Sequence, residues 1–463
     1  MLVAPIIPPG DFGFGSKNEA QYTASGTPSC SVHAMAHVAS TNRLPLWVAL
    51  DGSVVRTDLW HESLLLLIKR NALYLLMAVV WLFRGRAVLR AEVAARIQIN
   101  PVSLPYNEEL LDWLRSERCK GRPIWLCTVA NHRLAEAVAA YLGIFDGVIA
   151  GGPMLKKHLA AQIPADEFAN RSGRVRAALR AFRLHQWAKN VLLFIPLLAA
   201  HRANDPAAVW NALLAFISFS LCASSVYLLN DMLDLEADRQ HARKSKRPFA
   251  SGDLPLTAGF VLTPALLLAG ALIAAFLPSE FQIVLAFYYL LTLGYSLVFK
   301  RIVMIDTTAL AMLYTTRVIA GAAANAIQLS FWLLLFCGFF FLSLAFVKRY
   351  AELEAVQRRQ QLHAAGRGYT VADLPMLEGF GIAAGYMSVL VLAVYVNSPS
   401  IAALYRHPHI IWLLCGLMLY WISRIWMKTH RGRMHDDPVI FALRDRVSLG
   451  MGLLAAVIVY AAI

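Results

Sequence analysis

Long apolar segments recur through the second part of this 463-residue chain. They lie at roughly 189–200, 207–229, 256–277, 281–298, 302–323, 329–347, 379–396, 409–427 and 447–463. Apart from the short first one, these segments have about the length that a helix needs to cross the hydrocarbon core of a bilayer. With 58% hydrophobic and only 16% charged residues, the chain is far more apolar than soluble proteins are. We therefore predict a mainly α membrane protein whose residues 180–463 form a nine-helix transmembrane bundle.

Basic residues are divided unequally between the two sets of loops. If the residues before the first segment are cytoplasmic, the loops on that side carry eighteen Lys and Arg, and those on the other side carry only Arg202 and Arg406. The loops predicted to be cytoplasmic are 239–248, 299–301, 348–367 and 424–446. By the positive-inside rule, this predicts a multi-pass protein of the bacterial inner membrane with a cytoplasmic N-terminus and a periplasmic C-terminus. It also explains the net charge of +14 without nucleic acid as a partner.

An acidic motif ends the second apolar segment. Asn230 and Asp231 are followed by Asp234 and Asp238, and basic residues come directly afterwards. Carboxylates spaced i, i+3 and i+7 share one face of a helix, and Mg²⁺ prefers such oxygens together with phosphate. We therefore predict a site that holds Mg²⁺ and a diphosphate ester. The alternative is a solvated helix end whose charges face water.

Further polar side chains occur at segment ends on the same predicted side of the membrane. They are Lys189, Tyr295, Lys300, Asp306, Lys348 and Arg349. Ionisable groups within or beside a membrane span are costly and usually line a cavity, which favours one shared site. Bases at helix ends can instead extend to lipid headgroups, and we prefer that interpretation for Arg301, Lys428, Arg431 and Arg433.

The first part of the chain has a different character. Residues 1–43 are rich in Pro, Gly, Ser, Ala and Thr, which predicts a disordered arm. Residues 44–165 alternate short apolar strands, at 46–50, 124–128 and near 147, with helices, which predicts an α/β domain with a parallel sheet. An apolar run at 72–83 is too short to span a membrane and fits an interfacial or cap helix.

This α/β domain resembles the haloacid-dehalogenase-like phosphohydrolases. Their first motif is D-x-D-G-T after a strand, where this chain has Ala49 at the nucleophile position and Asp51 after it. Thr128 matches the second motif, Lys156 or Lys157 the third, and the acidic fourth motif has no counterpart. The resemblance implies a degenerate domain without phosphatase activity, because no residue can form the phospho-enzyme. We accordingly expect deletion of residues 1 to about 165 to leave the activity of the membrane part measurable.

The membrane part resembles the UbiA superfamily of intramembrane prenyltransferases. Besides the acidic motif, the resemblance rests on H-Q-W-A-K-N at 185–190, K-R-P-F-A-S-G at 246–252 and A-L-R-D-R at 442–446, which resemble the decaprenyl-phosphate phosphoribosyltransferase branch. Rhizobial nodulation proteins with a fused N-terminal domain are also similar. Aromatic prenyltransferases carry a second motif, D-x-x-x-D, where this chain has only Asp306.

The resemblance implies a transferase that moves 5-phosphoribose from phosphoribosyl diphosphate to a polyprenyl phosphate in the membrane lipid, with Mg²⁺ as cofactor. The product would lead to a polyprenyl-linked arabinose donor, with nodulation-factor glycosylation as one use. Asp231, Asp234, Lys189 and Asp306 would be catalytic, and Asp231, Asp234 and Asp238 would bind the metal. The substrate-binding residues would be Asn230, Asp238, Arg243, Lys244, Arg247, Tyr295, Lys300, Lys348 and Arg349.

Two other functions remain open at this point. The first is an aromatic or quinone prenyltransferase, against which the missing second acid of D-x-x-x-D argues. The second is a non-catalytic transporter of polyprenyl phosphates, against which the acidic motif argues, because moving a lipid needs no metal site. Polyprenyl length and oligomeric state are not determined by these residues.

Overall fold

The structure is a computed structural model, and it describes most of the chain beyond the N-terminal arm. The described residues are 44–71, 73–128, 132–150, 173–241, 243–360, 362, 367–398, 405–434 and 437–462. The predicted disordered arm, 1–43, lies outside them, as do Lys156 and Lys157.

The N-terminal domain contains the predicted parallel sheet. Strands β1 (Leu46–Ala49), β2 (Ile124–Thr128) and β3 (Gly147–Ala150) pair in the order β1-β2-β3. The helices along this part of the chain are α1 (Leu59–Arg70), α2 (Tyr74–Phe83), α3 (Arg86–Arg96), α4 (Glu108–Cys119) and α5 (His132–Leu142). Leu46, Val48 and Leu126 are fully buried in the core between sheet and helices. Alternation of buried strands with amphipathic helices thus gave a correct prediction of an α/β domain.

Helix α1 has a well-defined start. Asp58 is its N-cap and accepts hydrogen bonds from the backbone N–H groups of Trp60 and His61, at 3.0 and 3.2 Å. Asp51 Oδ1 accepts a further bond from Leu59 N at 3.0 Å. Two carboxylates therefore satisfy amide groups that a helix N-terminus leaves without partners inside the helix.

Helix α2 corresponds to the run predicted to be an interfacial or cap helix. Its ten residues are all apolar or aromatic, and Leu76, Val80 and Phe83 are among those exposed. Only Ala78 and Trp81 on this helix are buried. Exposure of so many apolar side chains is consistent with a location in the membrane interface, which stays a prediction.

The second part of the chain is almost entirely helical. It comprises α6 (Arg174–Ala181), a 3-10 segment (Leu184–Phe194), α7 (Ile195–Ala199), α8 (Pro206–Leu233), α9 (Leu235–Arg239), α10 (Leu256–Ala274), α11 (Ser279–Leu297), α12 (Ile305–Ala323), α13 (Phe331–Arg358), α14 (Leu374–Val396), α15 (Pro408–His430), α16 (Pro438–Ala442) and α17 (Arg446–Ala462). Short 3-10 turns at Lys244–Lys246, Phe299–Arg301 and Val371–Asp373 join some of them.

Six helices of the described residues are long and apolar enough to cross a membrane: α8, α10, α11, α13, α14 with its preceding turn, and α15. Helices α12 and α17 coincide with two more predicted spans; α17, with 17 residues, is a shorter apolar helix. The protein is thus an integral membrane protein, whereas the count of nine spans stays a prediction.

The first predicted span is not a regular α-helix. The structure has eleven 3-10 residues, Leu184–Phe194, followed by the five residues of α7, so the segment begins five residues before the predicted span of 189–200. Because a 3-10 helix rises about 2.0 Å per residue and an α-helix about 1.5 Å, such a segment reaches about 30 Å if straight, similar to the hydrocarbon thickness. The short length is therefore compatible with a span.

Small residues allow close packing of the membrane helices. Ser218 and Ser225 of α8 donate to the carbonyls of Gly270 and Thr263 on α10, at 2.8 and 2.9 Å. On α12, a side chain at Gly321 would collide with the backbone carbonyl of Leu193 in the 3-10 segment. Such small-residue contacts and interhelical hydrogen bonds are typical of association in lipid, and here they join α8 to α10 and the 3-10 segment to α12.

Candidate functional site

The acidic motif lies where α8 ends and α9 begins. Asp234 is the residue between the two helices, so the three aspartates do not share one uninterrupted helix as the spacing predicted. Helical hydrogen bonds nevertheless continue across the break, from Asp234 N to Asn230 O at 2.9 Å and from Asp238 N to Asp234 O at 2.8 Å. The motif therefore keeps a nearly helical course while the Asp234 side chain takes a different set of partners.

Asp231 and Asp238 converge on one guanidinium group. Arg247 Nη1 lies 3.1 Å from Asp231 Oδ1 and 2.6 Å from Asp238 Oδ2. Arg183, directly before the 3-10 segment, donates to the same oxygen of Asp231. Both aspartates are buried, whereas the arginines are partly exposed. The two carboxylates thus enclose a position that a cation already occupies.

Asp234 is held between two lysines. Lys300, in the turn after α11, lies 3.1 Å from Oδ2, and Lys69, the next-to-last residue of α1 in the N-terminal domain, lies 3.1 Å from Oδ1. Burial alone would raise the pKa of Asp234, but Lys300 and Lys69 lower it below its usual value. The carboxylate is consequently ionised at neutral pH and remains about 28% exposed. We call these three aspartates with Arg183, Arg247, Lys300 and Lys69 the acid-motif cluster.

The predicted three-aspartate metal site is not assembled in the part of the chain that the structure describes. No group of three or more His, Cys, Asp or Glu side chains there is arranged to hold a metal ion. Asp231 and Asp238 do fit one, because a single cationic nitrogen already contacts both and hard oxygen ligands suit Mg²⁺. Asp234 differs because it is turned towards its two lysines.

Asp306 lies in a second, closed cluster. It is fully buried, and its carboxylate is contacted by Arg349 Nε at 2.7 Å, the Tyr295 hydroxyl at 3.0 Å and Arg367 at 3.3 Å. Arg349 is also fully buried and pairs with Glu352, which Arg367 contacts at 3.1 Å. We call these five residues the Asp306 cluster. The predicted residues Tyr295, Asp306 and Arg349 are therefore brought together, with Asp306 and Arg349 closed to solvent and Tyr295 partly exposed.

Lys189 and Lys348, both predicted, meet on Asp437. Their Nζ atoms lie 2.7 and 3.2 Å from Asp437 Oδ2, and the Tyr314 hydroxyl donates to the same carboxylate at 2.8 Å. Burial would raise the pKa of Asp437, but Lys189 and Lys348 hold it well below its usual range. Next to Lys189, Asn190 accepts from the buried Arg317 at 2.9 Å. We call Asp437, Lys189, Lys348 and Tyr314 the Asp437 cluster.

Three predicted residues lie at the edge of these clusters. Asn230 is half-buried on the last turn of α8, and Arg243 and Lys244 are exposed in the loop after α9. The sequence prediction does not include Asp437, Arg183, Arg367 or Lys69. For Asp437 a signal existed, an acidic pair in an otherwise basic loop. For Lys69 there was none, because it is an ordinary last-turn base of an amphipathic helix.

Comparison with known proteins places these clusters in a family context. The model of the UbiA prenyltransferase family matches residues 191–446. The uncharacterized protein y4nM of Sinorhizobium fredii is 32% identical, over 89% of this chain and 90% of its own length. The nodulation protein NoeC of Azorhizobium caulinodans is 35% identical, over 64% of this chain and 93% of its own. The decaprenyl-phosphate phosphoribosyltransferase of Mycolicibacterium smegmatis is 37% identical, over 40% of this chain and 59% of its own.

Among solved structures, a UbiA homolog from Archaeoglobus fulgidus bound to DMAPP and Mg²⁺ covers 61% of this chain and 96% of its own, with a TM-score of 0.48 and 15% identity. The resemblance of the N-terminal domain to the haloacid-dehalogenase-like phosphohydrolases stays a prediction.

Proposed function

Because this chain belongs to the UbiA prenyltransferase family and is a transferase, we propose that it transfers 5-phosphoribose from phosphoribosyl diphosphate to a polyprenyl phosphate. Both substrates carry phosphate groups, so the reaction needs two groups of cationic donors beside the membrane. The acid-motif cluster supplies one, with Arg183, Arg247 and Lys300. Lys189 and Lys348 of the Asp437 cluster supply the other.

One observation favours this reaction over aromatic or quinone prenyl transfer. The only acid at the position of the second acidic motif, Asp306, is fully buried and paired with the fully buried Arg349. Unlike Asp231 and Asp238, which converge on one cation, Asp306 has no second aspartate beside it in this motif to help hold a second metal ion on a prenyl diphosphate. The similarity to decaprenyl-phosphate phosphoribosyltransferases, at 35–37% identity over about two fifths of the chain, supports the same choice.

The reaction requires stabilisation of negative charge more than proton transfer. A phosphate oxygen of the polyprenyl phosphate attacks C1 of the ribose, the C1–O bond breaks, and diphosphate leaves with the bonding electrons. Lys300, Arg183 and Arg247 would bind the leaving diphosphate and stabilise its developing charge, an electrostatic effect that is often the largest contribution to catalysis. Lys189 and Lys348 would hold the lipid phosphate. That phosphate is already ionised, so no strong general base is needed.

We propose Mg²⁺ as the cofactor, held by Asp231 and Asp238. The observation in its favour is the pair of carboxylates that share one guanidinium nitrogen. When bound, the ion would act as a Lewis acid on the diphosphate oxygens. Asp234 would then orient Lys300 towards the diphosphate.

The active site would face the cytoplasm of a bacterial inner membrane. The eighteen-to-two distribution of basic residues supports a cytoplasmic N-terminus and a periplasmic C-terminus. A reporter that is active only in the periplasm should work when fused after Ile463 and stay silent when fused at Gln360. Silence at both positions would show that the number of spans is miscounted.

The N-terminal domain would be a non-hydrolytic, haloacid-dehalogenase-like domain. Ala49 ends β1 at the nucleophile position, and Asp51 is used to cap α1 rather than pointing at a reacting group. We further propose that the product leads to a polyprenyl-linked arabinose donor, with nodulation-factor glycosylation as one use; the similarity to the nodulation protein NoeC supports the link to nodulation.

The function is tested with the purified full-length protein in lipid nanodiscs. This protein is incubated with labelled phosphoribosyl diphosphate, a polyprenyl phosphate and Mg²⁺. We expect a labelled lipid and release of diphosphate, both abolished by EDTA. A parallel reaction should replace both substrates with a prenyl diphosphate and an aromatic quinone precursor. Product only in the parallel reaction would identify a quinone prenyltransferase. Lipid movement between leaflets without any product would identify a transporter.

A further inference from the structure

Helix α1 of the N-terminal domain packs directly against the membrane domain. Leu65 of α1 lies in one buried cluster with Leu228 and Met232 of α8. On the same helix, Glu62 accepts hydrogen bonds from both terminal nitrogens of Arg239, the last residue of α9, at 2.6 and 3.0 Å. The side chains of Glu62 and Arg239 are only 3% and 7% exposed. A buried two-point ion pair of this kind fixes both the distance and the orientation of the two elements.

The anchored helix carries Lys69 to the acidic motif. Glu62 and Lys69 are seven residues apart, which in an α-helix is about 10.5 Å along the axis and nearly the same face. Lys69 Nζ reaches Asp234 at 3.1 Å, opposite Lys300. Asp234 is therefore contacted by one ammonium group from each domain. The lysine side chains are 28% and 22% exposed, so both are accessible to a ligand.

The cluster has more cationic side chains than its own carboxylates require. Four basic side chains, including Lys69, contact the three aspartates. Each lysine ammonium has three N–H donors and gives one to Asp234. An anion with several negative charges would therefore find donors on both sides of Asp234, and charge-assisted hydrogen bonds to phosphate oxygens are among the stronger ones.

We propose that Lys69 is a substrate-binding residue of the transferase site, so that the N-terminal domain completes the site for the diphosphate group of the donor. This inference deepens the proposed function and rests on it for the identity of the donor. It gives the N-terminal domain a role in the reaction, in contrast to the expectation that its removal leaves transfer measurable. Lys69 also precedes residues 191–446, the part that the family model matches, so the shared family region does not contain it.

The experiment measures binding of inorganic diphosphate with Mg²⁺ to the full-length protein by calorimetry, and transfer kinetics with both substrates. In Lys69→Met, we expect diphosphate affinity to fall about tenfold or more, the loss of one charge-assisted hydrogen bond. The KM for phosphoribosyl diphosphate should rise by a similar factor, while the KM for polyprenyl phosphate stays unchanged. Lys69→Arg should restore most of the affinity.

The matched control is Arg70→Met, which removes the same charge from the next residue. Arg70 is exposed and donates to the Arg96 carbonyl within its own domain at 3.5 Å. We expect this variant to bind diphosphate as the wild type does. Equal losses in the two variants, or an unchanged affinity in Lys69→Met, would overturn the proposal.

A measurement on the unmodified chain covers the case in which Lys69→Met does not fold. An amine-reactive reagent is applied with and without inorganic diphosphate, and lysine modification is quantified by mass spectrometry. Diphosphate should protect Lys69 and Lys300 but not Lys120, which is 55% exposed and pairs with Glu117 of the N-terminal domain. Equal modification of Lys69 in both samples would overturn the proposal.

The two proposals can fail separately. If wild-type protein makes no phosphoribosyl lipid but diphosphate still binds and protects Lys69, the identity of the reaction is wrong and the role of Lys69 stands. If the wild type makes the lipid and Lys69→Met has an unchanged KM and affinity, the reaction stands and the role of Lys69 is wrong.

Discussion

The acid-motif cluster and the Asp306 cluster both combine aspartates with basic residues, but in opposite ways. In the Asp306 cluster, the central pair Asp306 and Arg349 is 0% exposed and two acids balance two arginines, while the outer residues Arg367 and Glu352 are 22% and 36% exposed. In the acid-motif cluster, the basic side chains are 20–28% exposed and come from four separate parts of the chain. A closed, internally compensated ion pair suits structure, whereas an accessible set with excess positive charge suits an anionic ligand. Residue types alone do not separate these two outcomes.

The largest effect on stability should come from breaking the buried ion pair of Asp306 with Arg349. Arg349→Met would leave the Asp306 carboxylate buried without its main partner, which typically costs about 3–5 kcal/mol of stability. We expect a correspondingly large fall in the denaturant midpoint in mixed micelles, followed by tryptophan fluorescence. The control is Arg358→Met on the same helix, where Arg358 pairs with Glu354 and is 57% exposed; it should cost less than about 1 kcal/mol. Similar midpoints for both variants would contradict a structural role for the Asp306 cluster.

Substitutions in the acid-motif cluster should lower the activity of the protein rather than its stability. In Asp234→Asn, Lys300 and Lys69 lose the carboxylate that orients them, and we expect kcat to fall about 10²–10³-fold, as for removal of one electrostatic catalytic group. The denaturant midpoint should change little, because solvent reaches all three side chains. Asp112→Asn, at a 73% exposed surface aspartate, is the control and should keep full activity. A fully active Asp234→Asn variant would remove Asp234 from the mechanism.

The Asp437 cluster gives an intermediate case, which acid titration can test. Because Lys189 and Lys348 lower the pKa of Asp437 in the folded protein, its ionised form stabilises the fold above the unfolded pKa of about 3.9. This contribution is lost as the pH falls through the lowered folded value. We expect the difference in melting temperature between wild type and Asp437→Asn to be constant from pH 7 to 5 and to shrink below about pH 4. A difference that grows on acidification would contradict this assignment.

The smallest effect concerns the position of the acid-motif cluster relative to the bilayer. Only three residues separate α1, which carries Lys69, from α2, so an interfacial α2 would place the acid-motif cluster at the membrane surface. A fluorophore on Phe83→Cys, at an 89% exposed position, should be quenched by nitroxide lipids. The same label on Tyr141→Cys, 52% exposed on α5, should not be, with both variants in a background without other accessible cysteines. Equal quenching at both sites would show that α2 does not contact lipid.

Much of the fold is encoded in local sequence pattern. The apolar segments from 207 onward coincide with helices, and the runs at 46–50 and 124–128 are neighbouring parallel strands. Local pattern did not predict that the segment at 189–200 would begin as a 3-10 helix, nor that α8 would end at Leu233. Both depend on close contacts with other elements, such as that of the 3-10 segment with Gly321.

The sequence by itself determined the membrane character, the parallel sheet and the identity of the acidic motif, because each depends on the spacing of residues within one segment. Only the tertiary structure decided which charges meet. Lys69 and Asp234 are 165 residues apart, and Lys189 and Asp437 are 248 apart. Pairings over such distances depend on the angles at which helices pack and on the buried contact of Glu62 with Arg239 between the two domains. The same packing decided that Asp306 is closed to solvent and Asp234 is not, since burial belongs to the assembled fold rather than to any one segment.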